Sequence, residues 1–171
     1  MKHIILIGFM GCGKTRVGRA LARELDIPFV DMDERIVAKA GMSINDIFAQ
    51  QGEQYFRQLE TKVLKELLAD KRRTVISAGG GMPMQEANWS LLQTGVVVYI
   101  KASVDILVGR LKNDKTRPIL QGGDLYEKIL TLTNERNPIY EQVSDIEVMT
   151  SNGAVGEMVR QIVEKLVEKN V

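Results

Sequence analysis

Apolar and polar positions alternate between two periodicities along this chain. Lys2 to Ile7, Phe29-Val30, Thr74 to Ser77, Val96 to Ile100 and Ile146 to Met149 are short runs rich in β-branched residues. Most are continuously apolar rather than alternating, the pattern of strands covered on both faces. Between them run stripes at three- and four-residue spacing: Leu59, Val63, Leu64, Leu67 and Leu68; Val104, Leu107, Val108 and Leu111; Val155, Met158, Val159, Ile162, Val163 and Leu166. Each stripe fits one buried helix face. Five strands separated by helices predict an α/β three-layer sandwich, a parallel sheet with helices on both sides. Two stretches break the alternation. Asp31 to Arg73 is too long for one crossover helix and should hold several. Asn113 to Asp124 is polar and aperiodic, and loops of that length inside a domain are commonly functional.

The first strand runs directly into Gly8-Phe9-Met10-Gly11-Cys12-Gly13-Lys14-Thr15, and Arg16 to Leu25 reads as helix. This is a GxxxxGK[ST] phosphate loop between a strand and a helix, its proper context. Backbone N–H groups of such a loop curl around an anion, and the helix N-terminus adds partial positive charge. Lys14 can reach the β- and γ-phosphates of a nucleotide, and the Thr15 hydroxyl can ligate Mg²⁺.

Composition narrows the classes further. The chain has 171 residues, 44% hydrophobic and 26% charged, with a net charge of +1. These values fit one soluble domain and give no reason to expect a nucleic-acid partner. No apolar run reaches membrane-spanning length. A single cysteine excludes an internal disulfide framework and points to the cytoplasm.

In a parallel sheet, ligands sit outside the carboxyl ends of the strands. Asp31 and Asp33 lie there, two residues apart at the end of the second strand, and strand geometry would aim both carboxylates into one cleft. They could divide metal anchoring from orientation of an attacking hydroxyl. Alternatively, Asp33 caps the helix beginning at Glu34. The third strand ends in Ser77-Ala78-Gly79-Gly80-Gly81, not in the metal-binding aspartate of many ATPases and GTPases. That argues against a motor or switch GTPase and shifts the metal shell to Asp31. The three glycines suggest either close approach of backbone to a ligand or a flexible turn. Arg57 and Glu60 are either a surface ion pair or part of a site. Arg117 and Arg136 have the forked geometry that suits phosphate and carboxylate. Cys12 is either a small residue filling a tight loop or a reactive thiol at a helix N-terminus. His3, before the first strand, is not expected to be catalytic.

Taken together, these residues resemble shikimate kinases over nearly the whole chain. The resemblance rests on the phosphate loop, Phe29 to Asp33, Ser43 to Phe48, Gly52 to Arg57, Val75 to Gly81, Thr116 to Leu120 and Arg136 to Tyr140, in this order. It implies a P-loop fold of the nucleoside monophosphate kinase type, with a five-stranded parallel sheet, a lid near 113–124 and a substrate-binding helical region near 32–62. It implies ATP-dependent phosphorylation of the 3-hydroxyl of shikimate, on the route to chorismate and the aromatic amino acids. Asp33, Arg57, Gly80 and Arg136 would hold shikimate, with Gly79 and Gly81 shaping the same wall. ATP would meet Gly11, Cys12, Gly13, Lys14, Thr15 and Arg16. Arg117 would come from the lid, and Arg110 would lie near the adenine. Lys14, Asp33 and Arg117 would serve catalysis. One Mg²⁺ would be bound by Thr15 directly and by Asp31 through water. The chain departs from many relatives at Arg16, where they carry a second hydroxyl residue, and at Ser151-Asn152-Gly153, where they place an arginine near the adenine. The expected partners are small molecules, with no nucleic acid or membrane, and a monomer is expected. Another sugar-acid kinase, or a nucleotide-binding regulatory module without catalysis, are the alternative readings.

Overall fold

A computed structural model describes residues 1–115, 120–150 and 153–171. Five strands form one sheet: β1 (Ile4–Ile7), β2 (Phe29–Asp31), β3 (Val75–Ser77), β4 (Val96–Lys101) and β5 (Ile146–Met149). Their order is β2-β3-β1-β4-β5, and every pairing is parallel. All four residues of β1 are fully buried, as are Val75, Ile76, Val98 and Ile100. Burying a side chain of this size stabilises the fold by about 1.5–3 kcal/mol. The continuous apolar runs are therefore the centre of the core.

Helices flank the sheet: α1 (Lys14–Glu24), α2 (Met32–Ala40), α3 (Ile44–Ala69), α4 (Trp89–Leu92), α5 (Val104–Leu111), α6 (Leu125–Val143) and α7 (Val155–Glu168). Their starts follow capping chemistry. Asp31, Ser43, Ser103 and Asp124 each accept from the backbone N–H three residues on. In α1 the cap is Gly13, with no side-chain hydrogen bond and no acidic residue in the first turn. That helix N-terminus is open to an anion.

The order of the strands locates the cleft. From β1 the chain crosses to β2 on one side of the sheet, and from β3 it crosses β1 to reach β4 on the other. The loops after β1 and β3 thus leave in opposite directions from neighbouring strands. This is the switch point at which open parallel sheets form a crevice.

Some boundaries differ from the sequence expectation. The first strand begins at Ile4, and α1 begins at Lys14. The second strand ends at Asp31, and Asp33 lies in the first turn of α2. The cap of that helix is Asp31, because its backbone is still extended (φ −93°, ψ 122°) and its carboxylate reaches the Glu34 N–H. The long segment after β2 does hold several helices. One of them, α3, is broken at Gly52, whose φ of 86° and ψ of 167° are not helical. The segment read as a lid lies between α5 and α6. Its residues 116–119, Arg117 included, fall outside the described residues, as do Ser151 and Asn152.

Candidate active site

Two adjoining cavities open at the carboxyl ends of the strands. One, of about 420 Å³, is lined by the phosphate loop (Met10, Gly11, Gly13, Lys14, Thr15), by Arg16 and Arg110, and by Asp31 and Asp33. It extends past Ser77 to Gly80 and on to Thr150, Gly153, Val155 and Met158. The other, of about 310 Å³, is lined by Asp33, Arg57, Glu60, Arg136 and the three glycines. Its apolar wall comes from Met10, Ile44, Phe48 and Phe56. Met10, Asp33, Gly79 and Gly80 line both.

In the first cavity, the ammonium of Lys14 donates to the carbonyls of Gly8 (2.7 Å) and Phe9 (3.1 Å). It therefore lies back along its own loop. The Thr15 hydroxyl donates to Asp31 at 2.8 Å. These two oxygen groups, from α1 and the end of β2, meet although sixteen residues apart in sequence. Arg110 reaches from α5 to the Gly11 carbonyl at 3.0 Å, and its exposed guanidinium also stands beside Gly13. Arg16 is exposed at the cavity edge. Cys12 is fully buried, with its sulfur 2.8 Å from where a Cβ on Gly8 would stand. It packs inside the loop, with the Lys14 ammonium 3.7 Å from its sulfur.

The second cavity is organised around two guanidinium groups. Arg57 pairs with Glu60 at 2.9 Å, and Glu60 is 1% exposed, so the pair is internal and not a surface pair. Glu53 approaches Arg57 from the rim at 3.6 Å. Arg57 lies over the Phe56 ring, and Arg136 over the Phe9 ring. Each arginine is thereby held against an aromatic face. Nε of Arg57 and Nη1 of Arg136 are buried without a hydrogen-bond partner among the described residues. Buried donors of this kind are costly unless something satisfies them. Burial raises the Glu60 carboxyl to about 7, against the pull of Arg57. Glu60 is then only partly ionised near neutrality, and positive charge is left over in the cavity. An anionic group with forked acceptor geometry, such as a carboxylate, fits that site.

The glycines have a structural reason beyond ligand approach. A Cβ on Gly81 would overlap the Arg57 guanidinium, and one on Gly79 would stand 2.8 Å from Glu60 Oε2. Neither glycine has a positive φ. The wall consists of glycine because the Arg57–Glu60 pair packs flat against it, so it is neither a free turn nor reserved for a ligand alone.

Sequence reasoning had named Asp33, Arg57, Gly79 to Gly81 and Arg136, and the fold brings all of them to one cavity. Asp31 and Asp33 share the first cavity, but through a strand end and a helix start, not through strand alternation. Phe48, Phe56, Met10 and Met158 were missed, since an apolar side chain lining a cleft looks like core in a sequence. His3 lies away from both cavities, with Nε2 2.9 Å from the Asp70 carbonyl oxygen.

The family model for shikimate kinase matches residues 10–167. The shikimate kinase of Chromobacterium violaceum is 40% identical over 167 residues, covering 97% of this chain and 90% of that protein. Among solved structures, shikimate kinase from Acinetobacter baumannii in complex with shikimate superposes with a TM-score of 0.95 at 37% identity, covering 100% of this chain and 96% of that one. Shikimate kinase from Aquifex aeolicus superposes with a TM-score of 0.86 at 38% identity, over 99% of this chain and 98% of that one. With the same five-stranded parallel sheet and nearly full coverage in both directions, the chain belongs to the shikimate kinase family of ATP-dependent phosphotransferases.

Proposed function

We propose that the first cavity holds ATP, the second holds shikimate, and the γ-phosphoryl group passes to the 3-hydroxyl across the wall that the two cavities share. The observation that carries this reading is the position of Asp33 and Gly80, which line both cavities. Shikimate has one carboxylate and three hydroxyls. Arg57 and Arg136 clamp the carboxylate, through donors that are otherwise buried without partners among the described residues. Asp33 accepts from the ring hydroxyls and orients the attacking one. The apolar wall of Ile44, Phe48 and Phe56 covers the ring.

The phosphate loop receives the β- and γ-phosphates on the amides of Gly11 to Thr15 and on the uncapped start of α1. Lys14 moves from the Gly8 and Phe9 carbonyls to the phosphates and neutralises charge as the γ-phosphoryl group transfers. Arg110 and Arg16 border the nucleotide cavity, and Arg117, outside the described residues, is assigned to the phosphates by the family resemblance alone. The oxygen donors of Thr15 and Asp31, already 2.8 Å apart, suit a hard divalent cation. Among the described residues no cluster of three acidic, histidine or cysteine side chains forms a cage. That agrees with Mg²⁺, which keeps most of its shell for water and phosphate. Thr15 would hold Mg²⁺ directly and Asp31 through water, and the ion would supply charge neutralisation between the phosphates. The chain acts as a single kinase domain, as a monomer and in the cytoplasm. None of its described helices is long and apolar enough to cross a membrane.

A coupled assay of ADP release with shikimate, quinate and gluconate tests the reading. Shikimate-dependent turnover is expected. Equal turnover of gluconate would point to a broader sugar-acid kinase, and ATP binding with no turnover of any acceptor would favour a regulatory module. For Asp33→Asn, transfer should fall by about 100-fold or more with ATP affinity kept. Equal loss of both would remove Asp33 from its assigned role.

A further inference from the structure

Tyr140 is absent from the site as described so far, yet it touches two of its parts. It lies on α6 one turn after Arg136, on the same helix face. Its side chain is fully buried. Its hydroxyl donates to the carbonyl of Gly80, across a sequence separation of sixty residues. The Arg136 charge pulls the phenol down, against the larger effect of burial. Burial raises the phenol far above its ordinary value, so the group keeps its proton and remains a donor. The ring packs on Tyr99 at 5.1 Å between centroids, and the Tyr99 hydroxyl donates to Asn137 at 3.1 Å. The phenol is therefore fixed by its surroundings before any ligand arrives.

Gly80 is confined on its other sides as well. A Cβ there would stand 3.3 Å from Arg136 Nη1, 3.3 Å from the Met10 nitrogen and 3.4 Å from the Gly8 oxygen. The peptide joining Gly80 to Gly81 is planar and trans, so its N–H points opposite to its C=O. Whatever holds the Gly80 carbonyl also sets the direction of the Gly81 N–H at the cavity wall.

We propose that Tyr140 is a positioning residue for the acceptor substrate: its hydroxyl locks the Gly80 carbonyl and braces Arg136, so that the glycine wall and the carboxylate clamp are held in register. This rests on the reading that the second cavity holds shikimate. Tyr140 touches no reacting atom, and its effect is exerted through Gly80 and Arg136.

The test is Tyr140→Phe, which deletes the hydroxyl and keeps the ring against Tyr99. The KM for shikimate is expected to rise about tenfold, because a buried carbonyl loses its donor and the wall relaxes. The KM for ATP should rise less than that for shikimate, since Tyr140 reaches the nucleotide cavity only through Gly80. Amide hydrogen exchange at residues 79–81 should speed up. Tyr99→Phe is the control: it also deletes a phenol from this region, but one that does not reach Gly80, and the shikimate KM should not move. Placing 3-fluorotyrosine at position 140 keeps both ring and donor and should preserve the parent KM, which keeps the test open if the Phe variant folds poorly. An unchanged shikimate KM in Tyr140→Phe would overturn the proposal. So would an equal rise of both KM values with a lowered melting temperature, or a rise with 3-fluorotyrosine to match that of Phe. If the parent protein fails to turn over shikimate, the assignment of the cavity fails instead, and the two failures are distinguishable.

Discussion

Arg57 and Glu60 carry the most information per residue in the second cavity. Their spacing is that of countless surface ion pairs, and only burial sets this one apart. With Glu60 raised to about 7 from an ordinary 4.5, the native state retains a proton that the unfolded chain has already released. Stability should therefore fall as pH rises from about 4.5 to about 7 and level off above, with a slope from this group of at most ~1.4 kcal/mol per pH unit. In Glu60→Gln that component should vanish, and melting temperatures across this range would check it. A parent and variant that run parallel would refute the assignment. Arg136→Ala should weaken shikimate binding by about 100-fold while ATP affinity is kept, because the carboxylate would lose one arm of its clamp. Titration calorimetry with each ligand separates the two effects. The phosphate loop was legible from residue types alone, since Gly11, Gly13, Lys14 and Thr15 are nearly contiguous and line one cavity. At Cys12 residue type was not enough, because a thiol's access depends on what surrounds it.

At the scale of elements, α3 shows how one residue redirects a helix into a site. Its break at Gly52 separates the capped start at Ser43, which carries Ile44 and Phe48, from the segment carrying Phe56, Arg57 and Glu60. Phe48 and Phe56 still meet across the break at 4.9 Å. The backbone at Gly52 is open to glycine and to almost no other residue. Gly52→Ala should lower stability by about 1–3 kcal/mol, measured by urea unfolding. It should also raise the shikimate KM, since both halves of the cavity wall depend on that bend. An unaltered denaturation midpoint would show that the strain is relieved elsewhere. The apolar stripe from Leu59 to Leu68 made the second half of α3 legible, because a buried helix face, here Val63, Leu64 and Leu67, imposes a 3.6-residue period. The first half faces the cavity instead, and a ligand-facing surface imposes no such period. For the same reason the helix start at Met32 was placed too late. Both Asp31 and Asp33 are plausible caps, and only the backbone angles at Asp31 decide between them.

For the molecule as a whole, the second cavity joins α2, α3, the loop after β3 and α6, elements far apart in sequence. A ligand bridging them should stabilise the native state as a unit, by about 2.7 kcal/mol at 100 times its dissociation constant. Shikimate should raise the melting temperature of the parent by several degrees and that of Arg136→Ala much less at the same concentration. No shift in the parent would count against occupancy of this cavity. Periodicity and neighbouring residues along the chain were enough for the five strands, the parallel α/β class and the phosphate loop, and the resemblance to shikimate kinases picked out the polar residues of the second cavity. These features rest on local backbone geometry and on which face of an element is apolar, and both are written in consecutive residues. The meeting of Arg57 with Arg136, the packing of the Arg57–Glu60 pair against glycine, the burial of Cys12 and the reach of Tyr140 to Gly80 were decided only by the folded chain. Each depends on a distance between segments separated by dozens of residues, or on exclusion of water by surrounding groups. Strand order and packing set both, and no local stretch of sequence contains them.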